Sequence, residues 1–231
     1  MYKCKKILID TNYKVKLKAL LKRINIIFNH LRNGSVKPII ENLSTRLYST
    51  KRFIGVTIKK EQLKNTDYNL NLSIRPFEQK DIGALKEGQR HRRLVEEKIP
   101  NCYVATIGDD IVVFRQWLFQ QNVYTDIITC FGPIFPKINK EEAIIEGVFT
   151  HVDFRGLRIM PNAIYKVLNQ DHYNSIKKVI AFIEETNIGS LKGFYRLGFK
   201  PYIIRQEKWF LFKRTVCFVP LSSAVDDYEN L

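Results

Sequence analysis

The residues whose types and spacing could do chemistry lie between Ile144 and Phe199. In this stretch Arg155-Gly156-Leu157-Arg158 separates a strand-like run, I-I-E-G-V-F-T-H-V-D-F, from a run with helical spacing, R-I-M-P-N-A-I-Y-K-V-L. A tight polar turn between a strand and a helix aims the unbonded N–H groups of the helix start at one point. Here it aims two arginines there as well. That combination binds an anion, and a phosphate is the natural one. A second strand, K-K-V-I-A-F-I-E-E, then leads through Asn187 and Ser190 into a second helix closed by Leu197-Gly198-Phe199.

The elements that must position these residues follow from periodicity and punctuation. A strand is expected at Lys51–Ile58, then a polar linker at 60–71, a short strand at Asn71–Arg75, and a helix start at Asp81. Cys102–Ile107 and Ile111–Phe119 read as a hairpin about Gly108-Asp109-Asp110. Tyr124–Cys130 reads as a further strand. Strands at Ile144–His151 and Lys178–Ile183 alternate with helices at Arg158–Leu168 and Ser190–Leu197. Two closing strands, Tyr202–Gln206 and Trp209–Phe218, turn at Glu207-Lys208. This order predicts an α/β (α+β) mixed sheet with helices on both faces. A ligand would sit at the carboxyl end of a central strand.

The 231 residues, 45% of them hydrophobic, suit a globular protein, and no apolar run reaches the length of a membrane span. The net charge of +15 is unevenly placed: residues 1–64 hold 16 Lys/Arg against 3 Asp/Glu, and the rest hold 22 against 20. Nucleic acid is therefore not the expected partner. One basic appendage is, carrying an amphipathic helix over 13–32 and a second from Pro38. Its stripe would pack on the main domain, or its basic face would meet an anionic membrane surface. Three segments are expected: the basic helical extension 1–64, a domain at 70–218 and a tail at 219–231. No leader segment is evident, so a cytoplasmic protein, peripheral to a membrane at most, is expected. Cys4, Cys102, Cys130 and Cys217 form no metal-spaced set, and reduced thiols with no bound metal are expected.

With loop, Asn187 and Leu-Gly-Phe all in hand, residues 70–218 resemble the GNAT superfamily, the Gcn5-related N-acetyltransferases. Arg155 and Gly156 match the Arg-Gly opening of that family's pyrophosphate loop, while Arg158 and Met160 stand where it has glycines. The resemblance implies acetyl-CoA, or another acyl-CoA, as co-substrate, bound at a splayed point between the fourth and fifth strands of the sheet. Backbone groups of Phe149 and Thr150 would hold the thioester carbonyl and pantetheine amides. The loop amides of Arg155, Gly156, Leu157, Arg158, Ile159 and Met160 would hold the pyrophosphate, with Asn187 and Ser190 completing the site.

N-acyl transfer also needs a base, an oxyanion donor and an acid for the thiolate. The resemblance implies the Thr150 N–H as the oxyanion donor. It puts the usual tyrosine acid at Phe194, one residue before Tyr195, so either Tyr195 is the acid through a helix shift or the thiolate leaves without one. Glu146 lies four residues before Thr150, on the same face by period-2 geometry, and is the candidate base. His151 faces the other way. Trp117 would line the acceptor side or pack in the core. The acceptor implied is a small-molecule or carrier-linked primary amine. A further likeness to GNAT proteins of surface-polysaccharide gene clusters implies an amino sugar. A non-catalytic acyl-CoA-binding protein is the alternative.

Overall fold

The computed structural model describes residues 44–66, 70–84, 92–108 and 110–221. The described residues form two compact units, one of 53–205 with 220–221 and a smaller one of 44–52 with 206–219. The helix expected at 13–32, most of the second helix, Asp109 and residues 222–231 lie outside the described residues. Among the described residues no helix is long and apolar enough to cross a membrane.

In the larger unit the strands are β1 (Tyr48–Lys59, from Phe53 on), β2 (Ser73–Pro76), β3 (Cys102–Ile107), β4 (Ile111–Phe119), β5 (Glu142–Thr150), β6 (Lys178–Glu184) and β7 (Lys200–Phe210, to Arg205). They lie in the order β2-β3-β4-β5-β6-β1-β7. All of the described pairings in this unit are antiparallel except β5 with β6. Among the described residues of this unit the helices are α1 (Arg92–Glu96), α2 (Tyr124–Phe131), α3 (Ile159–Leu168) and α4 (Ile188–Arg196). The mixed α/β architecture expected from the sequence is the one observed.

The central strands β4 and β5 are mostly apolar because helices cover them, and Val113, Phe114, Leu118, Phe119, Ala143 and Ile144 are fully buried. α3 packs on β4 and β5. Its stripe of Ala163, Ile164, Val167 and Leu168 is fully buried, as the 3.6-residue period requires.

Four expectations are corrected. The polar stretch 60–71 is no boundary between units, because Phe53–Lys59 before it pairs with β6 as Phe53↔Glu184 through Lys59↔Lys178. Tyr124–Cys130 is helix α2, not a strand. Val123, Ile127 and Cys130 bury one helical face, and Gly132 stops it at φ 74°. Short β-branched runs fit either period, and here the spacing of three and four wins. Within the smaller unit, Glu207-Lys208 is not the closing turn. β7 continues to Phe210 and turns at Leu211-Phe212, both at positive φ (45° and 63°), into β8 (Lys213–Val219). No Gly, Asn or Asp marked that turn. Glu207 is nearly buried and lies 3.7 Å from Arg214. Finally, Cys102 and Cys130 are free thiols, whereas Cys217 is disulfide-bonded in place of the expected thiol.

Gly55 shows how closely the larger unit is packed. A Cβ there would sit 2.7 Å from Ile203 Cγ2, 2.8 Å from Phe182 Cε1 and 3.0 Å from the Ile203 carbonyl. Gly55→Ala is expected to lower stability by about 1–3 kcal/mol through overpacking. Urea unfolding measures this, and an unchanged midpoint would contradict the packing described.

Candidate functional site

The site begins with a break in the sheet. β5 and β6 pair in parallel from Glu142↔Lys178 to Ile145↔Ala181, and the pairing stops there, although β5 continues to Thr150 and β6 to Glu184. On its other edge β5 stays paired with β4, but with a bulge. Arg115 faces Phe149 and Trp117 faces Glu146, so β5 spends one residue more than β4 between these pairs. Gly147, at φ 63°, supplies the left-handed backbone that a bulge of this kind uses. The extra residue and added twist turn the end of β5 away from β6 and open a cleft between two parallel strands.

The bulge corrects the placement of Glu146 and Thr150 on one face. Directly opposed residues share a face, so Glu146 and Phe149 lie with Trp117 and Arg115, and Thr150 lies on the other side. The Arg115 guanidinium carbon bears this out, at 4.7 Å from the Trp117 ring centroid and 5.8 Å from that of Phe149.

Beyond Thr150 the chain enters the Arg155–Arg158 turn. Gly156 (φ 83°) and Arg158 (φ 58°, ψ 20°) are both left-handed, and Arg158 is the N-cap of α3. Arg158 thus takes, without being glycine, a backbone shape that costs about 1–2 kcal/mol for a residue with a Cβ. Arg155 folds back on β5. Its Nε donates to the Thr150 carbonyl at 3.2 Å, and its guanidinium carbon lies 6.0 Å from the Phe149 centroid.

Met160 has a different compensation. Its side chain lies against Gly193 of α4, where any Cβ would fall inside contact distance of Met160 Cε and 3.2 Å from its Sδ. A glycine on the facing helix makes room for the methionine of the loop. α4 itself starts at Asn187, whose Oδ1 accepts from the Ser190 N–H at 3.2 Å. This is an N-cap, which gives Asn187 and Ser190 a structural role whatever else they do.

These elements enclose a cavity of about 590 Å³. Its wall contains Phe149, Thr150, Arg155, Gly156, Arg158, Ile159, Met160, Asn187 and Ser190. Leu157 is exposed and lies outside the wall, as do the half-buried Glu146 and Tyr195, among the described residues. Phe194 is buried and packs edge-on to Phe199 with centroids 5.0 Å apart, so this position is core. Trp117 is likewise core, 1% exposed, with its indole N–H donating to the Ile99 carbonyl at 3.3 Å.

Sequence reasoning missed three cations in the wall, Arg115, Lys192 and Arg196. Lys192 and Arg196 were findable: Gly189, Lys192, Gly193 and Arg196 follow the i, i+3, i+4, i+7 rule, marking one small-and-basic helix face. Arg115 is an arginine in the middle of the otherwise apolar I-V-V-F-R-Q-W-L-F strand, a signal in itself. With Arg155 and Arg158 the wall carries, among the described residues, five cationic side chains and no carboxylate. The N-termini of α3 and α4 also open onto it. It is built for a polyanion.

A second cavity of about 500 Å³ shares Phe154 with the first and is lined by Lys80, Asp81, Asp110, His151 and Asp153 among others. His151 Nδ1 accepts from the Asp153 N–H at 3.4 Å. Here carboxylates outnumber cations, but Asp81 and Asp110 are occupied. Arg75 donates from Nη1 and Nη2 to Asp81 (2.8 Å each) and from Nε and Nη2 to Asp110 (2.8 and 3.0 Å). Burial alone would raise Asp81, but hydrogen bonds from Arg75 and the Glu78 N–H outweigh it and leave the carboxyl below its ordinary value. Hydrogen bonds from Arg75 and then Lys80 hold Asp110 down at about 2.

Two outcomes follow. Both carboxyls are depressed, so their contribution to stability is complete above about pH 4 and is lost as the pH falls toward 2. The urea midpoint should drop over that window, and by less in Arg75→Met; an equal drop in both proteins would show that this cluster does not carry the effect. Separately, Arg158→Gly should be more stable than Arg158→Ala by about 1 kcal/mol, because only glycine relieves the left-handed strain. Equal unfolding midpoints for the two variants would contradict the strain.

No family model matches the chain, and no curated protein is similar to it in sequence. Solved structures are similar in fold. The GCN5-related glucosamine N-acetyltransferase region of a fungal multi-domain GH3 β-N-acetylglucosaminidase has a TM-score of 0.53 at 12% identity, covering 74% of this chain. This chain spans only 22% of that fungal protein. A GCN5-related N-acetyltransferase from Sphaerobacter thermophilus covers 76% of this chain and 57% of its own at 12% identity, with a TM-score of 0.46. A GNAT-family acetyltransferase from Colwellia psychrerythraea has the same coverage at 10% identity and a TM-score of 0.44. The fungal region, together with the splayed parallel pair, bulge and polyanion cavity, sets the conclusion: this chain has the GCN5-related N-acetyltransferase fold.

Proposed function

We propose that the chain binds an acyl-CoA in the first cavity and transfers its acyl group directly to a primary amine. One observation carries the reading: a cavity of about 590 Å³ at the end of β5, walled by five cations and no carboxylate, into which two helix N-termini open. Coenzyme A is a matching ligand. It carries a diphosphate and a third phosphate on one end and an extended arm with two amides on the other. The phosphates suit Arg158, Lys192 and Arg196 and the N–H groups at the start of α3. The arm suits the edge of β5 that faces β6 past Ile145, where an extended amide chain can add as a strand does.

The acyl group then lies by Phe149 and Thr150, where backbone N–H groups are positioned to donate to a carbonyl oxygen as it gains charge. The Thr150 carbonyl already accepts from Arg155, so a ligand amide that uses it must displace that bond. The attacking nitrogen must be neutral, and the thiolate is a good enough leaving group to depart without a side-chain acid. Phe194 in the core fits that economy. The amine is a small molecule or carrier-linked. An amino sugar is the first acceptor to try, since the fungal region of like fold is described as acting on glucosamine.

A second reading, acyl-CoA binding without transfer, has its own support: neither Glu146 nor Tyr195 lines the cavity. Calorimetry with acetyl-CoA and release of free thiol from acetyl-CoA, with glucosamine and an amine panel, separate the two. The first reading predicts binding and amine-dependent thiol release. Lys192→Ala and Arg196→Ala should each weaken acetyl-CoA by roughly 5-fold, the loss of about 1 kcal/mol of charge-assisted contact. Tight binding with no release on any amine would leave the second reading; no binding at all would sink both. Binding to anionic vesicles with and without residues 1–43, a cut that leaves β1 in place, tests the membrane surface proposed for the basic extension. Unchanged binding after their removal would discard it.

A further inference from the structure

Among the cations of the first cavity Arg115 stands apart. The other four are partly or fully exposed, whereas Arg115 is 3% exposed, in the centre of β4. It lines the cavity, yet its Nε and Nη2 are buried and donate to no acceptor among the described residues. Burial pushes the guanidinium below the ordinary arginine range, but an arginine stays charged in any protein interior. The Cys102 thiol is the titratable group that acts on it electrostatically, and burial drives that thiol far up, so no thiolate there balances the charge. The wall offers no carboxylate either.

Two other arginines of the larger unit show what this one lacks. Arg205, equally buried, gives Nη1 to the Ile134 carbonyl at 3.0 Å and sits among the rings of Phe53, Phe182 and Phe135. Arg75 closes the Nε and Nη2 side of its fork on both oxygens of Asp110, at 2.8 and 3.0 Å. Arg115 presents that same pair of atoms, with no acceptor on them. Trp117 and Phe149 lie within cation–π range, at 4.7 and 5.8 Å, and contacts of that kind leave the in-plane N–H groups for a flat, two-oxygen partner. A buried cation without such a partner is costly, and a Met of similar length would fill the space between the rings without that cost.

We propose that Arg115 receives a carboxylate brought to the cavity beside Phe149. The carboxylate is carried either by the acyl group of the donor, making it a dicarboxylic acyl-CoA, or by the amine, making it an amino acid. The proposal rests on the acyl-CoA reading above, since Arg115 is paired across the sheet with Phe149, where that reading puts the acyl group. A phosphate is the poorer match: the exposed cations and helix starts of the loop provide for phosphates, and a guanidinium edge buried in a strand fits a planar anion.

The test is calorimetry on the full chain and on Arg115→Met and Arg115→Lys. The donor arm compares CoA, acetyl-CoA and succinyl-CoA. The acceptor arm, at saturating CoA, compares alanine with ethylamine and phenylalanine with phenethylamine. The wild type should favour the carboxylate-bearing member of one arm by about tenfold or more, as loss of one partner of a buried ion pair implies. Arg115→Met should lose that preference, bind CoA within about twofold of the wild type, and melt no lower in the absence of ligand. Arg115→Lys, with the charge but not the fork, should lose most of it too. A preference in the donor arm identifies the acyl group as the source, and one in the acceptor arm identifies the amine. The proposal is overturned if CoA binds but neither arm shows a preference. It is also overturned if Arg115→Met weakens CoA itself as much as succinyl-CoA, or if Arg115→Met melts lower, which would make the guanidinium structural. Failure of the wild type to bind CoA at all would instead bring down the acyl-CoA reading and this proposal with it.

Discussion

Everything in the site depends on where the parallel pairing of β5 and β6 stops. Up to Ile145↔Ala181 the two strands are ordinary neighbours in a covered sheet. One residue of bulge at Gly147 then turns the end of β5 aside while β4 keeps its hold on the other edge. The same step fixes which side chains share the face of Arg115 and which face away. It also leaves room between two strand ends, where the starts of α3 and α4 can point inward. A regular parallel pair would have carried the ladder on to the end of β6 at Glu184 and closed that space.

The second constraint is electrostatic. Two helix starts and five cationic side chains meet around one volume without a carboxylate among them. Like charges so gathered repel one another and lower stability unless an anion joins them. The loop bears a conformational cost as well, in the left-handed Arg158. The second cavity beside it is the opposite case. Its Asp81 and Asp110 carboxylates are closed on Arg75 and Lys80, and their pKa values are depressed accordingly. Asp81 and Asp110 are therefore satisfied internally, whereas the first cavity gathers cations of one sign.

Much of this was legible in the sequence. The anion turn, Asn187 and Leu197-Gly198-Phe199 set out the strand–helix–strand–helix order, and nine of the expected binding residues line one cavity. What failed to show did so for physical reasons. A bulge is one residue in length, and period-2 counting from Glu146 to Thr150 steps over it. Gly147 carried the only hint. Tyr124–Cys130 is too short and too β-branched for its period to be decided without knowing what covers it. The Leu211-Phe212 turn holds two apolar residues at positive φ, against every turn preference. Arg115 was visible as a charge within an apolar strand, but only the fold shows that its Nε and Nη2 have no acceptor among the described residues.

The most direct measurement of the central claim is amide hydrogen exchange on the full chain with and without coenzyme A. The account predicts protection concentrated in 147–150, in the 155–160 loop and at the start of α4. Those are the β5 edge past the break and the two helix starts. Protection elsewhere, or none at saturating coenzyme A, would contradict it.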